Sequence, residues 1–174
     1  MSIKTIFLDR DGVINKDTNY LFRIEDFEFI SGVFEACNYF KILGYKIIII
    51  TNQSGIGRGY FTSNDFLIIN QWMIEQFKKN GVTILDIFHC PHLPESKCDC
   101  RKPKPGMFIK AKNKYDINMD KSWMIGDSER DIKAANLAGI KKTILVRSGS
   151  KINDSKSNAM FFLDSIDQVN KIIT

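Results

Sequence analysis

The chain has 174 residues, 44% of them hydrophobic, with a formal net charge of +5 at pH 7 and four cysteines. That length suits one domain over residues 1–174, and the composition supplies enough apolar surface to build a core without a disulfide framework. A charged fraction of 26% and 13 Phe exclude a disordered or collagen-like chain, and no apolar run reaches the roughly 18 residues of a membrane span.

The start, MSIKTIFLDRDG, lacks the apolar core and cleavage site of a secretory leader, so a cytoplasmic protein is expected. Short β-branched runs then alternate with amphipathic stretches. IKTIFLD at 3–9 predicts a first strand, 32–43 a helix with the stripe Val33, Ala36, Cys37 and Phe40, and KIIIIT at 46–51 a second strand. On that stripe Cys37 is expected to be an inert core thiol. Thr62 and Ser63 open a helix over 64–80 that carries Phe66, Ile69, Met73 and Phe77 on one face. ILDIFH at 84–89 predicts a third strand. After a Cys-rich loop come a helix near 106–115, a strand at 123–127 and a helix at 129–138 ended by Gly139. KTILVR at 142–147 and MFFLD at 160–164 read as the last strands, and the polar stretch at 148–158 as a surface loop. The runs at 47–50 and 144–146 are apolar without alternation, as in parallel strands covered on both faces, so the expected fold is a three-layer, Rossmann-like α/β sheet.

Ligands of such sheets bind beyond the carboxyl ends of the strands. The first strand ends in Asp9-Arg10-Asp11-Gly12. Extended geometry through Arg10 would put the Asp9 and Asp11 carboxylates on one side, where their repulsion invites an oxygen-seeking cation such as Mg²⁺. The same residues also suit a solvated Asp-Gly turn. The second strand ends in Thr51-Asn52-Gln53-Ser54-Gly55, whose hydroxyl, amide and loop N–H groups suit phosphoryl oxygens, or an ordinary turn. Asp127 ends a later strand, with Glu129 and Asp131 in the helical turn that follows; a helix start rich in acids normally compensates the macrodipole, the role expected of Glu129. The basic cluster Arg101, Lys102 and Lys104 is interleaved with prolines rather than stacking aromatics, which favours a phosphate pocket over a nucleic-acid surface, with a solvated basic loop as the alternative. Asp pairs, Thr-Asn, Asp and Lys at one sheet edge are the parts of metal-assisted phosphoryl transfer.

Cys90, His92, Cys98 and Cys100 lie within eleven residues and offer four soft or borderline ligands, suited to a closed tetrahedral Zn²⁺. A closed shell leaves no position for water, so this zinc would be structural and would fix the loop that delivers Arg101 and Lys102. His89 competes as a ligand, but its place at a strand end suits local packing.

DRDG at 9–12, TNQSG at 51–55, RKPKPGM at 101–107 and GDSERD at 126–131 resemble, in order, the four motifs of the haloacid dehalogenase superfamily of phosphatases. The Cys/His loop, EDFEFI at 25–30 and LVRSG at 145–149 make the chain most similar to the heptose-bisphosphate phosphatases within it, over about residues 6–149, with histidinol-phosphate phosphatases on the same scaffold. The resemblance implies a haloacid dehalogenase fold with a minimal cap and a zinc-binding loop, and a Mg²⁺-dependent phosphatase of bacterial surface-sugar biosynthesis. Asp9 would be the nucleophile that forms an aspartyl-phosphate, and Asp11 the acid and base. Mg²⁺ would be held by the Asp9 and Asp127 carboxylates and the Asp11 backbone carbonyl. Thr51 and Lys102 would steady the transferring phosphoryl group, with Arg101, Asp17, Tyr20, Asn52, Gln53, Ser54 and Ser128 in contact with substrate. Ser128 stands where these enzymes carry Lys, which leaves a second phosphate to Arg130 or Lys104.

The expected partner is a small sugar phosphate, with no nucleic acid, no membrane and a monomeric state. Three other readings remain: a histidinol-phosphate phosphatase, a polynucleotide 3′-phosphatase that the pI near 9.0 keeps in view, and a catalytically silent zinc-stabilised binding module. Intact Asp9, Asp11, Thr51, Lys102 and Asp127 argue against the last.

Overall fold

The computed structural model describes residues 2–151 and 154–174. Its strands are β1 (Thr5–Leu8), β2 (Lys46–Asn52), β3 (Ile84–Cys90), β4 (Trp123–Gly126), β5 (Lys142–Val146) and β6 (Phe161–Leu163). Its helices are α1 (Val33–Ile42), α2 (Ser54–Gly57), α3 (Ser63–Lys79), α4 (Gly106–Tyr115) and α5 (Glu129–Leu137). The predicted strands and helices are all present, with ends shifted by one or two residues. Short 3₁₀ turns at Ile24–Asp26, Asp154–Lys156 and Ile166–Lys171, and the single-turn α2, carry no periodic signal and were not expected.

The strands form one parallel sheet in the order β3-β2-β1-β4-β5-β6. Successive side chains of each strand feed opposite layers. Ile6 and Leu8 of β1, with Ile47 and Ile49 of β2, pack with α1, α3 and the turn at Ile166–Lys171. Phe7, Ile48 and Ile50 face α4 and α5. This two-sided demand explains the unbroken apolar runs, since each fully buried Ile contributes about 1.5–3 kcal/mol. Cys37 lies within the first layer, where burial pushes its thiol far up, as an inert core residue requires.

α3 starts at a capping box: the Asp65 N–H donates to Thr62 Oγ1 at 3.1 Å, and the Thr62 N–H donates to Asp65 Oδ2 at 2.8 Å. Its buried face includes Phe66, Ile69, Met73 and Phe77. Because β1 lies between β2 and β4, the chain runs outward through β2 and β3 on one side, crosses back to β4, and runs outward through β5 and β6 on the other. The carboxyl ends of β1, β2 and β4 therefore flank a topological switch point, where a crevice forms.

The stretch 148–158 lies at the surface as expected and is tethered to the body of the protein; residues 152 and 153 lie outside the described residues. Ser148 Oγ donates to the Gly12 carbonyl at 2.8 Å, and Ser157 Oγ to Glu129 Oε2 at 2.5 Å. Glu129 thus anchors this segment as well as standing in a helix first turn. Among the described residues no helix is long and apolar enough to cross a membrane.

Candidate active site

β1 ends at Leu8, so Asp9 and Asp11 leave the sheet on a bend rather than on the extended strand expected from the sequence. Both nevertheless line one cleft of about 330 Å³. Asp17, Tyr20, Thr51, Asn52, Gln53, Ser54, Arg101, Lys102, Asp127 and Ser128 line it too. Gly12, at φ +86°, turns the chain past Asp127; a Cβ there would lie 2.5 Å from Asp127 Oδ2, and one on Gly149 only 2.2 Å away.

Lys102 is the centre of charge. Its buried ammonium lies 2.9 Å from Asp9 Oδ1 and 2.7 Å from Asp131 Oδ1, and donates to the Ile50 carbonyl at 2.7 Å. Burial works against that charge, but Asp131 and Asp9 outweigh it and hold the lysine pKa above its ordinary value. The loop that carries Lys102 is pinned to the end of β2: Asn52 Nδ2 donates to the Lys102 carbonyl and the Lys102 N–H to Asn52 Oδ1, both at 3.1 Å. Asn52, expected to touch substrate, uses its amide to hold this loop.

Asp131 stands in the same acid-rich helical turn as Glu129, yet its side chain points into the site. It is 1% exposed, and its Oδ2 accepts from the Asp127 N–H, the Ser128 N–H and Ser128 Oγ while Oδ1 faces Lys102. A capping-box acid three residues past Ser128 is the signal that marks it.

Burial raises the Asp9 carboxyl well above the usual range; Lys102 pulls it down, and Asp131 and Asp127 push it up again. Asp127 is raised as well, first by burial and then by Asp131, against the pull of the Ser150 N–H and hydroxyl, which donate to Oδ2 at 2.8 and 2.7 Å. Oxygens of Asp9, Asp127 and Asp131 lie within 4.8 Å of one another, and Lys102 answers one of three negative charges. Asp131 is saturated, whereas Asp9 Oδ2 and Asp127 Oδ1 accept no hydrogen bond among the described residues. Two spare hard oxygens and two uncompensated charges fit a divalent cation such as Mg²⁺.

Asp11 is held by its neighbours. Arg10 Nη2 and Asn15 Nδ2 donate to Oδ1 at 3.0 and 2.9 Å, and Gln53 Nε2 donates to Oδ2 at 2.9 Å. Arg10 looks exposed in the charged run DRDG, yet its side chain is wholly buried, with a further bond to the Leu21 carbonyl at 3.2 Å.

The mouth is built differently. Tyr20 and Tyr60 meet edge to face at 4.8 Å between centroids, and the Arg58 guanidinium lies 5.9 Å from the Tyr20 ring. Arg58, Arg101 and Arg130 line the cleft, so a cationic rim stands above an anionic floor. Of the two candidates for a second phosphate, Arg130 lines the cleft, while the Lys104 ammonium donates to the Cys98 carbonyl.

In the adjoining loop Cys90 Sγ lies 3.4 Å from His92 Nδ1 and 3.7 Å from Cys98 Sγ, and His92 Nδ1 lies 3.2 Å from Cys100 Sγ. A tetrahedral zinc with bonds of about 2.3 Å spaces its sulfurs about 3.8 Å apart, so the four side chains fit that ion. Burial raises the Cys98 thiol, but the Arg101 N–H and the neighbouring thiols outweigh it and hold the group at about 7, which favours a ligating thiolate. His89 stays outside the cluster and packs against Phe66, ring centroids 4.4 Å apart and tilted by 42°, the packing role expected of it.

The family model described as HAD-hydrolase-like matches residues 99–169. The chain is 46% identical over 165 residues to a D-glycero-alpha-D-manno-heptose-1,7-bisphosphate 7-phosphatase of Photorhabdus laumondii, covering 91% of this chain and 90% of the other. It is 44% identical over 177 aligned positions to a D-glycero-beta-D-manno-heptose-1,7-bisphosphate 7-phosphatase of Pasteurella multocida, covering 98% and 96%. Among solved structures it is similar to the D,D-heptose 1,7-bisphosphate phosphatase from B. bronchiseptica complexed with magnesium and phosphate, with a TM-score of 0.85, 29% identity and 97% of each chain covered.

Proposed function

The chain belongs to the D-glycero-D-manno-heptose-1,7-bisphosphate 7-phosphatases, within the haloacid dehalogenase-like hydrolases, and we propose that it releases the 7-phosphate of such a heptose bisphosphate through an aspartyl-phosphate. The observation that carries this reading is the segregation of charge in one cleft, with Asp9, Asp11 and Asp127 on the floor and Arg58, Arg101 and Arg130 at the rim. A substrate with two phosphates uses both ends: one for the reacting phosphoryl group, one for the arginines.

Asp9 Oδ2, which accepts no hydrogen bond among the described residues, attacks phosphorus while the bond to the sugar oxygen breaks. That oxygen takes a proton from Asp11. The Asp11 carboxylate then accepts a proton from the water that attacks the acyl phosphate, releasing inorganic phosphate and restoring Asp9. Lys102 favours the ionised form of Asp9 and holds it in place, and Thr51 faces the phosphoryl oxygens. Mg²⁺, held by the carboxylates of Asp9 and Asp127 and the backbone carbonyl of Asp11, would supply Lewis-acid stabilisation of the phosphoryl charge. Zn²⁺ on Cys90, His92, Cys98 and Cys100 would hold the loop of Arg101 and Lys102 in shape. Asp17, Tyr20, Ser54, Arg101 and Ser128 are the substrate contacts in this reading. The whole chain acts as one monomeric phosphatase domain of the cytoplasm, in surface-sugar biosynthesis.

The test is turnover, side by side, on heptose 1,7-bisphosphate, histidinol phosphate and a 3′-phosphorylated oligonucleotide. The heptose bisphosphate is expected to give the highest kcat/KM by at least about tenfold, or about 1.4 kcal/mol. Preference for either of the others would overturn the substrate.

A further inference from the structure

We infer that Gln53 is a positioning residue for the proton-transfer step, one amide that ties the acid Asp11 to the phosphoryl-facing hydroxyl of Thr51. This role rests on the phosphatase reading of the cleft. In the sequence Gln53 looks like a substrate contact; its amide N–H groups are committed within the protein. The side chain is buried, at 4% exposure. Its Nε2 lies 2.9 Å from Asp11 Oδ2 and 3.0 Å from Thr51 Oγ1, so both N–H donors of the amide are spent inside the protein. Its backbone is pinned as well, with its N–H donating to the Cys90 carbonyl at 2.7 Å.

The two oxygens of Asp11 are treated unequally. Oδ1 faces Arg10 Nη2 at 3.0 Å, Arg10 Nε at 3.3 Å and Asn15 Nδ2 at 2.9 Å. Oδ2 faces Gln53 and one longer Arg10 contact at 3.3 Å. An acid oxygen that carries a proton has surrendered a lone pair to it and cannot also accept from three N–H groups. The proton therefore belongs on Oδ2, the oxygen Gln53 orients. In the first step the Asp9 Oδ2–P bond forms, the P–O bond to the sugar breaks with its electron pair left on the sugar oxygen, and the proton on Asp11 Oδ2 moves to that oxygen. By donating to the oxygen of Thr51, Gln53 also leaves the hydroxyl hydrogen to point at the phosphoryl group. A single amide thus sets the distance between the proton and the group that is leaving.

A sugar alkoxide needs that proton, and a nitrophenolate scarcely does. Gln53→Met keeps length and bulk and deletes both donors. Its kcat on heptose 1,7-bisphosphate is expected to fall about 10- to 100-fold with KM within about threefold, while kcat on 4-nitrophenyl phosphate falls less than about threefold. In the Asp11→Asn background the same change is expected to cost nothing further on the sugar substrate, because the group it acts through is gone. Gln53→Asn, whose amide is too short to bridge both partners, carries the same selective loss and serves if the Met variant does not fold. A raised KM with kcat unchanged would make Gln53 a substrate contact, and equal losses on both esters would make it a general prop of the fold; either result overturns the inference. Asp11→Asn alone separates the two failures. If it is leaving-group selective and Gln53→Met is not, the positioning role falls by itself; if Asp11→Asn is also unselective, the phosphatase assignment of Asp11 falls first and takes the role with it.

Discussion

The Lys102 ammonium lies 2.7 Å from Asp131 Oδ1, with both side chains almost wholly withdrawn from solvent. Removing one partner of such a pair strands the other, which typically costs about 3–5 kcal/mol. Lys102→Met is therefore expected to lower the free energy of unfolding by that order and to abolish turnover, because Asp9 loses its counter-charge at the same time. Urea unfolding followed by circular dichroism reads the first effect; a loss under about 1 kcal/mol would show that the buried triad relaxes without its cation.

Asp9 and Asp127 both titrate above the usual carboxylate range, chiefly through burial. A carboxyl raised in the folded state lends stability that is full below its unfolded value, about 3.9, and is lost as pH climbs through the folded pKa. Metal-free protein is thus expected to weaken as pH rises out of the acid range. A divalent cation offsets that loss, so the Tm gained on adding Mg²⁺ is expected to be larger at about pH 8 than at about pH 5. Equal gains at the two pH values would argue against these carboxylates as the binding site.

Asp9→Asn keeps the side chain's shape and removes its charge. Phosphate release is expected to vanish, no acyl phosphate is expected to be trapped, and the metal-free Tm is expected to hold or rise, since a buried charge has gone. Residual turnover of about a tenth of the wild type or more would exclude Asp9 as nucleophile.

The spacing of Cys90, His92, Cys98 and Cys100 leads to one tightly held zinc per chain by elemental analysis. Cys98→Ser is expected to lower both Tm and activity, because Cys100 directly precedes the segment that carries Arg101 and Lys102. Protein purified without chelator and free of zinc would contradict this.

At the rim, Arg101→Ala is expected to lower kcat/KM for the heptose bisphosphate by about 1.5–3 kcal/mol, the scale of a charge-assisted contact, and to affect an aryl phosphate much less. Arg130→Ala is expected to act in the same direction, and Lys104→Ala to lack that selectivity. Steady-state kinetics on both esters decides, and a selective loss in Lys104→Ala would relocate the second-phosphate contact.

What the sequence disclosed follows from local rules. Unbroken apolar runs announced strands buried on two faces, and the rule that ligands gather at strand ends singled out Asp9, Thr51 and Asp127. Thr62 opened α3 as its residue type suggests. The parts it concealed depend on partners far along the chain. Asp131 at a helix start has the same local signature whether it faces water or Lys102. Arg10 sits in a charged run and is nonetheless buried, with Asp11 and the Leu21 carbonyl accepting from its Nε and Nη2. Ser150 belongs to a polar stretch typical of a surface loop, and only the close approach of Gly12 and Gly149 brings it onto Asp127.

The spread of the charged floor over the chain has a consequence for synthesis. As the polypeptide emerges, Asp9, Asp11 and Thr51 come first, then Lys102, and only afterwards β4, Asp131 and the serine that restrains Asp127. Until β4 docks beside β1, Lys102 has no second carboxylate and Asp127 has no place. A chain cut short before β4 thus holds the nucleophile and its lysine but no complete hydrolytic centre, which needs strands from both sides of β1.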